Sequence, residues 1–334
     1  MRNIYIIQNE GEAYNFSAIC KSKDIVITFD DVTQFDTESY FKNKDVKVFN
    51  PKFSFKKNKS NFIYKIFNSF LLRRESLLFF KGNLNHKHKY NVFISNDGPY
   101  VKAIISSLKT LDISIVVELW IDTMIGDRGK YYKELAISKI NLLASKFNID
   151  YILPSILGTS YFINKILVPI QPFRDVLINR GVNKNKIEVA DTPRISSLKN
   201  RELPRVINNR YLFVASAWEW HGRNECEIWQ KNAINDLIRL FESVSLGGCF
   251  YVRFHPRQTK LQTKFLDKQY ISKVDNYIDD IALSTHVISY RSTALFDATI
   301  LNKKTYIYDK NAPFAPGNKF LESITKLNSI NDLL

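Results

Sequence analysis

Short apolar, β-branched runs alternate with longer helix-like stretches along almost the whole chain. In the first half this pattern predicts strands at Asn3–Ile7, Ile25–Phe29, Val46–Phe49, Asn91–Ser95, Ile115–Trp120 and Tyr151–Leu153. Helices are predicted between them, notably at Phe62–Phe80, Tyr100–Leu108 and Lys130–Phe147. Strands that are apolar on both faces and alternate with helices are typical of parallel sheets in an α/β fold.

The alternation pauses at Asp191–Arg210, a polar, basic segment with two prolines, and then resumes. Strands are next predicted at Tyr211–Ser216, Phe250–Phe254, Val274–Tyr277, His286–Ser289 and Thr305–Tyr308, with helices at Glu225–Ser243 and Ser292–Leu301. A chain of 334 residues is also too long for one ordinary core. We therefore predict two doubly wound, Rossmann-like domains, residues 1–195 and 211–334, joined by a linker at 196–210. Such domains would bind a ligand in a cleft between them, at the carboxyl ends of strands.

The formal net charge of +15 favours an anionic partner, such as a phosphorylated ligand, nucleic acid or an anionic membrane surface. An AT-rich genome would also enrich lysine, so the charge alone does not choose among them. The sequence carries no RNP, zinc-finger or helix-turn-helix signature, which makes nucleic acid the remotest of these partners.

The three cysteines are scattered and form no CxxC pair, which argues against a disulfide framework or a thiolate metal site. The amino terminus has an apolar run of four residues, too short for a signal peptide. Eighteen consecutive apolar residues occur nowhere. The sequence predicts a cytoplasmic protein, with peripheral contact to the inner face of the membrane left open.

The segment VRFHPRQ places His255 just beyond a predicted strand, where parallel sheets bind ligands. Pro256 ends the strand, and Arg253 and Arg257 flank the histidine. These side chains could hold a nucleotide phosphate, with His255 as phosphate ligand or proton donor. The alternative is a His-Pro turn with solvated arginines.

The segment SYRSTALFDA places Ser292 and Thr293 at the start of a predicted helix. Free backbone N–H groups, the positive end of the helix dipole and two hydroxyls favour an anion there. An ordinary N-cap would use the same residues. Two such features in one α/β domain support a phosphate site better than either does alone.

Several carboxylates could serve as a general base in the first domain. Asp97, in the turn SNDGPY, follows a predicted strand, although this composition also favours a plain tight turn. Glu118 and Asp122 lie near the end of another strand, and Glu10 and Glu12 follow the first strand. Each of these four alone is more often a cap or a solvated loop residue.

The segments RFHPR and SYRSTALFDATILNKKTYIY resemble the nucleotide-binding domain of GT-B glycosyltransferases, and most of all the bacterial sialyltransferases. In that group an HP motif and an S-S/T motif hold the CMP part of CMP-sialic acid. A third motif, D/E-D/E-G, supplies the base. Here Asn96 replaces its first acid, so Asp97 and Gly98 are the match. This departure leaves the base open to the four other carboxylates.

The resemblance implies an inverting, metal-independent glycosyltransferase that needs no cofactor. Asp97 would deprotonate the acceptor, while His255, the flanking arginines and the Ser292–Thr293 pair stabilise the departing phosphate. Within the group, the chain is similar to O-antigen α2,3-sialyltransferases, which implies CMP-sialic acid as donor. The acceptor would be a lipid-diphosphate-linked galactoside in bacterial lipopolysaccharide or capsule synthesis.

Related transferases that use a UDP-sugar, a GDP-sugar or a CDP-linked polyol carry similar motifs, so another nucleotide donor is the alternative. The basic, Phe-containing stretch Lys42–Lys59 could contact anionic lipid headgroups or a pyrophosphate-lipid acceptor. A solvated loop is its simpler interpretation.

Overall fold

The computed structural model describes residues 2–33, 35–52, 62–122, 125, 131–218, 223–256, 258, 263–290, 292–313, 319–329 and 332. These residues cluster into two compact units. The first contains the described residues up to Ile195 except Ile125, and the second contains Ile125 and the residues from Ser196 onward. Each unit is built on its own parallel sheet.

The first unit has a described sheet of seven parallel strands in the order β3-β2-β1-β4-β5-β6-β7. The strands are β1 Arg2–Ile6, β2 Ile25–Ile27, β3 Lys47–Phe49, β4 Tyr90–Ile94, β5 Ile115–Trp120, β6 Ile163–Val168 and β7 Ile187–Val189. The helices are α1 Glu10–Ile19, α2 Asp30–Thr33, α3 Phe62–Asn83, α4 Pro99–Thr110, α5 Tyr131–Lys146 and α6 Gln171–Asn179, with α7 Pro193–Asn200 at the boundary of the units.

An aromatic cluster fixes helix α1 against the sheet. Phe16 of α1 packs on Tyr5 of β1 and on Trp120 of β5, with ring centroids 5.4 Å apart in both pairs. Phe93 of β4 completes the cluster, 5.1 Å from Tyr5 and 4.7 Å from Trp120. Burying these rings holds the start of α1 at the carboxyl edge of the sheet.

The second unit has a described parallel sheet in the order β12-β11-β10-β8-β9. Its strands are β8 Tyr211–Val214, β9 Phe250–Arg253, β10 His286–Ser289, β11 Lys304–Ile307 and β12 Thr325–Lys326. Its helices are α8 Asn224–Ser243, α9 Tyr277–Leu283, α10 Thr293–Ile300 and α11 Lys319–Glu322. Strands β8 and β10 are buried along their whole length, which accounts for the apolar sequence of β8 and the apolar centre of β10.

The predicted α/β class and most predicted elements agree with the structure, but two predicted strands are wrong. Tyr151–Leu153 is replaced by a 3₁₀ turn at Asp150–Ile152, where the Tyr151 ring lies under the Arg73 guanidinium. Val274–Tyr277 ends at the start of α9 instead, because the side chain of Asn276 caps that helix. Strands β6, β7 and β12 were not predicted.

The polar segment after Asp191 is partly helical. Thr192 Oγ1 accepts a hydrogen bond from Ile195 N at 3.4 Å, and Pro193 occupies the first position of α7. Proline is compatible with that position because its missing N–H would have no helical partner there. Residues 196–210, the predicted linker, cluster with the second unit.

None of the described helices is both long and apolar enough to cross a bilayer.

Candidate functional site

Each sheet has a point where the strand order reverses, and ligands of doubly wound folds bind beside such points at the carboxyl edge. In the first unit the reversal lies between β1 and β4, because β2 and β3 extend to one side of β1 and β5 to β7 extend beyond β4. In the second unit it lies between β8 and β10. The loops that follow these strands are therefore the candidate ligand-binding segments.

A hydrogen bond joins the two loops at the reversal in the first unit. Gln8 Nε2, after β1, donates to Asn96 Oδ1, after β4, at 2.5 Å. The same oxygen accepts from Gly98 N at 3.0 Å. Asn96 therefore acts as a hydrogen-bond bridge between the loops.

Glu12 lies directly beside this bridge, in the first turn of α1. Its Oε2 accepts from Gln8 N at 2.6 Å, and its Oε1 accepts from Asn9 Nδ2 at 2.7 Å. Asn9 Oδ1 in turn accepts from Glu12 N at 3.0 Å, which resembles a capping box. These contacts fix the orientation of the carboxylate.

Burial raises the pKa of Glu12 to about 6, although its hydrogen bonds act to lower it. A carboxyl group with this pKa is mostly ionised at neutral pH and still basic enough to accept a proton in a reaction. Glu12 thus has the position and the proton affinity expected of a general base.

Asp97, which the resemblance implies as the base, is not accessible to an acceptor hydroxyl in its turn. Its side chain is buried, 1% exposed. Its two oxygens accept from the backbone amides of Gly158 at 3.2 Å and Ser160 at 3.0 Å. Burial raises the pKa of Asp97, while the hydrogen bonds and the nearby Lys102 lower it. Asp97 therefore holds the segment that precedes β6 against the Asn96–Gly98 turn.

The other acids are placed differently. Glu10 is exposed at the first position of α1, on the same turn as Glu12. Glu118 lies within β5, not after it, and accepts from Trp120 Nε1 at 2.8 Å. Asp122 follows β5 and accepts from the hydroxyl of Thr192. Glu10 and Glu12 lie at the reversal point, whereas Glu118 and Asp122 belong to the next strand along.

In the second unit, His255 is exposed in a tight turn after β9. Gln258 closes the turn: its backbone N donates to His255 O, and its Oε1 accepts from His255 N, both at 2.9 Å. Gln258 Nε2 also donates to Glu227 Oε1 of α8 at 3.2 Å. Pro256 is exposed in this turn, and Arg257 lies outside the described residues.

Ser292 and Thr293 lie at the reversal point of the second sheet, after β10. Ser292 is the N-cap of α10 and accepts from Ala294 N at 3.2 Å. Thr293 is the first helical residue, and both side chains are only half-buried. The structure therefore contains the predicted helix start, with its dipole directed at the carboxyl edge.

Arg253 is predicted to contact a donor phosphate, but in the structure its guanidinium binds groups of its own unit. Its guanidinium donates to Val274 O at 2.6 Å, to Asp275 O at 2.8 Å and to Asp280 Oδ2 at 2.9 Å. Asp280 is fully buried and also pairs with Arg210. Arg253 thus fixes the loop before α9 within its own unit.

Sequence reasoning missed Gln8 and Gln258, which hold the candidate residues in place. The available signal for Gln8 was its position, because it directly precedes Asn9 and the first helix. Gln258 had no comparable signal, since its partner Glu227 lies 31 residues away.

No group of three or more His, Cys, Asp or Glu residues in the described parts of the chain is placed to hold a metal ion.

Solved structures have a similar fold of two α/β units. A glycosyltransferase of kitacinnamycin has a TM-score of 0.57 and 6% identity, covering 97% of this chain and 86% of its own. The UDP-GlcNAc 2-epimerase of Neisseria meningitidis bound to UDP-GlcNAc has a TM-score of 0.56 and 14% identity, covering 92% and 82%. The Staphylococcus aureus protein MnaA, solved with UDP, has a TM-score of 0.55 and 13% identity, covering 92% and 79%.

These likenesses establish the class of fold: the chain has a GT-B-like fold of two Rossmann-like α/β units. No protein-family model matches the sequence, and no curated protein matches it.

Proposed function

We propose that this chain is a glycosyltransferase that uses a nucleotide-sugar donor. The observation that carries the proposal is Glu12, a fixed carboxylate of raised pKa at the strand reversal of the first unit. The second unit offers complementary groups at its own carboxyl edge, namely His255 and the start of α10. A proton acceptor and an anion-binding helix start are the groups that glycosyl transfer requires.

The second unit would bind the donor. The backbone N–H groups and hydroxyls of Ser292 and Thr293 favour a phosphate, as does the positive end of the α10 dipole. His255 would stabilise charge on the departing phosphate, and Pro256 shapes its turn. We do not assign Arg253 to the donor, because a phosphate would have to displace three groups that hold its guanidinium.

We assign the general base to Glu12 and a supporting role to Asp97. Glu12 would accept the proton of an acceptor hydroxyl, whose oxygen then attacks the anomeric carbon. The bond from that carbon to the donor phosphate breaks, and the phosphate oxygen keeps the electron pair. Asp97 would hold the Asn96–Gly98 turn in place, since its own oxygens are occupied by backbone amides.

The donor is a nucleotide sugar, and a UDP-sugar has at least as much support as CMP-sialic acid. Structures of similar fold were solved with UDP-GlcNAc or UDP, whereas sialyl transfer to a lipid-linked galactoside relies on the sequence motifs alone. We therefore place a UDP-sugar first and keep CMP-sialic acid as the motif-based candidate.

A product assay tests the proposal. The purified protein would be incubated with UDP-, GDP- and CMP-sugars, each with and without a galactosyl-diphosphate-lipid analogue, and the products identified by mass spectrometry and NMR. We expect nucleotide release and a new glycosidic bond only when an acceptor is present. An epimerised UDP-sugar formed without acceptor would instead show an epimerase, an activity named for one of the similar folds. No binding of any nucleotide in saturation-transfer NMR would contradict both activities.

A further inference from the structure

Helices α3 and α5 form an outer layer over helix α4 in the first unit. Right-handed crossovers place α3, α4 and α5 on one face of the sheet and α1 on the other. Every residue of α4 from Val101 to Leu108 is buried, including Lys102. A helix buried all round needs neighbours outside it: α3 packs along α4, and the 3₁₀ turn at Asp150–Ile152, which also contacts α5, covers another part of it.

Hydrogen bonds fix both outer helices to α4. Arg73 Nε of α3 donates to Ser106 Oγ at 2.8 Å, and Lys102 Nζ of α4 donates to Asn141 Oδ1 of α5 at 2.5 Å. At the end of α4, Thr110 Oγ1 accepts both from Arg73 Nη2 at 3.0 Å and from Asn148 Nδ2, just beyond α5, at 2.9 Å. The two outer helices are therefore each tied to α4, α3 along its length and α5 through Asn141 and through Asn148 just beyond it.

This layer exposes large apolar side chains instead of polar ones. On α5 and the residue after it, Ile140, Leu143 and Phe147 are 57%, 59% and 71% exposed. Their spacing of three and four residues places them on one helix face. On α3, Phe70 and Leu78 are also more than half exposed. In contrast, the long helix α8 of the second unit exposes one large apolar side chain along its length, Ile228.

The charges within the layer are mostly positive. Helix α5 contains three lysines, all exposed, and one acid, Glu134, which is paired with Arg180 at 3.0 Å. Helix α3 contains four basic residues and one acid. Lys139 and Lys146 lie at helical spacing from Leu143 and therefore border the apolar face.

We propose that this outer layer, α3 and α5, docks on an anionic lipid bilayer. Apolar side chains flanked by lysines on one helix face are suited to the headgroup region, where the rings and aliphatic chains insert and the ammonium groups meet phosphates. A second copy of this chain fits less well, because a symmetric dimer through this face would bring lysines against lysines. The proposal is independent of the proposed function. It assigns the membrane contact to α3 and α5, whereas residues 53–59 of the basic stretch Lys42–Lys59 lie outside the described residues.

Vesicle co-sedimentation tests the proposal. The protein would be mixed with vesicles of phosphatidylglycerol and phosphatidylcholine, or of phosphatidylcholine alone. We expect binding to the anionic vesicles that weakens with salt. The triple variant Ile140→Gln, Leu143→Gln, Phe147→Gln should bind at least about tenfold more weakly. The double variant Lys139→Glu, Lys146→Glu should show a similar loss on anionic vesicles only.

Matched control variants show whether weaker vesicle binding comes from the α5 face or from any loss of apolar surface or positive charge. Ile228→Gln makes the same apolar-to-polar change on an exposed position of the second unit. Lys268→Glu with Lys273→Glu alters the net charge by the same amount at exposed positions of that unit. Circular dichroism would verify that each variant is folded.

Three results would overturn the proposal. The first is a wild-type protein that does not sediment with anionic vesicles. The second is equal binding by the α5 variants and their controls. The third is a dimer, seen by analytical ultracentrifugation, that the triple variant dissociates, because a second copy would then occupy this face.

Discussion

Glu12 in the first unit and Asp280 in the second are both acids held in place by hydrogen bonds, but their partners differ. Glu12 accepts from a backbone amide and an asparagine side chain, both neutral, and burial raises its pKa to about 6. Asp280 pairs with the guanidinium groups of Arg210 and Arg253. Neutral donors leave a buried carboxylate able to exchange protons near neutral pH, whereas paired cations turn the acid into a structural element.

The largest expected effect on stability is therefore at Asp280. Asp280→Asn leaves two guanidinium groups without their buried counter-charge, and we expect a loss of about 3–5 kcal/mol in the free energy of unfolding. Urea denaturation followed by fluorescence would measure it. The control is Asp279→Asn, whose partner Arg201 is partly exposed, and it should cost less than about 1 kcal/mol. Equal effects at the two positions would contradict the structural role.

A smaller loss is expected at Asp97. Asp97→Ala removes the acceptor of the Gly158 and Ser160 amides, and we expect a cost of about 1–3 kcal/mol. Asp36→Ala, at an exposed position of the same unit, should change stability by less than about 0.5 kcal/mol. If Asp97→Ala left the free energy of unfolding unchanged, the hydrogen bonds from Asp97 to the Gly158 and Ser160 amides would not stabilise the first unit.

The stability of the second unit should depend on pH, through the protonation of His286. His286 is buried in a stack with Tyr211 and Tyr306, and burial lowers its pKa to about 4, with Lys304 adding to the shift. The unfolded chain, with a pKa near 6.5, binds more protons between these values, so stability is full above about pH 6.5 and falls as the pH drops toward 4. We expect a decrease of about 1–3 kcal/mol over this window.

The variant His286→Phe keeps the ring stack and should flatten that part of the pH profile. His88→Phe, at an exposed position, should leave the profile unchanged. Urea midpoints between pH 4 and 7 would compare the three proteins. An unchanged profile in His286→Phe would show that other groups cause the acid sensitivity.

The smallest of these effects is expected at the start of α10. Ser292→Ala removes the N-cap acceptor of Ala294 N and should cost about 1 kcal/mol, whereas Ser292→Gly should cost only a few tenths. If the same hydroxyl also contacts the donor, both variants should weaken nucleotide binding equally in a titration. If nucleotide binding were instead weakened more by Ser292→Ala than by Ser292→Gly, in proportion to their losses of stability, the hydroxyl would act only as the N-cap of α10.

Local patterns were enough to predict the α/β class and most strands of both sheets. Strands such as Ile115–Trp120 and His286–Ser289 are short, β-branched and largely apolar, and their bounds match the prediction. Strand β6 was missed because Asn164 and Lys165 interrupt its apolar pattern, and β7 because it has only three residues.

The candidate site was less predictable, because it depends on contacts between distant segments. The Asn96–Gly98 sequence is typical of an exposed turn, yet amides 61 and 63 residues away bury Asp97. Arg253 precedes a His-Pro turn, yet its acid partner lies 27 residues later. Glu12 was one of four alternatives to Asp97, and nothing in the sequence singled it out; the structure places it beside Gln8 and Asn96 at the strand reversal.

The most direct test of the proposed function is the turnover of Glu12→Gln compared with Glu10→Gln, across pH. Wild-type kcat/KM should fall as the pH drops below about 6, because the base becomes protonated. Glu12→Gln should lower kcat about 10²–10⁴-fold while nucleotide binding and fold are retained, and Glu10→Gln should remain close to wild type. Near-wild-type turnover in Glu12→Gln would contradict the assignment of Glu12 as the base.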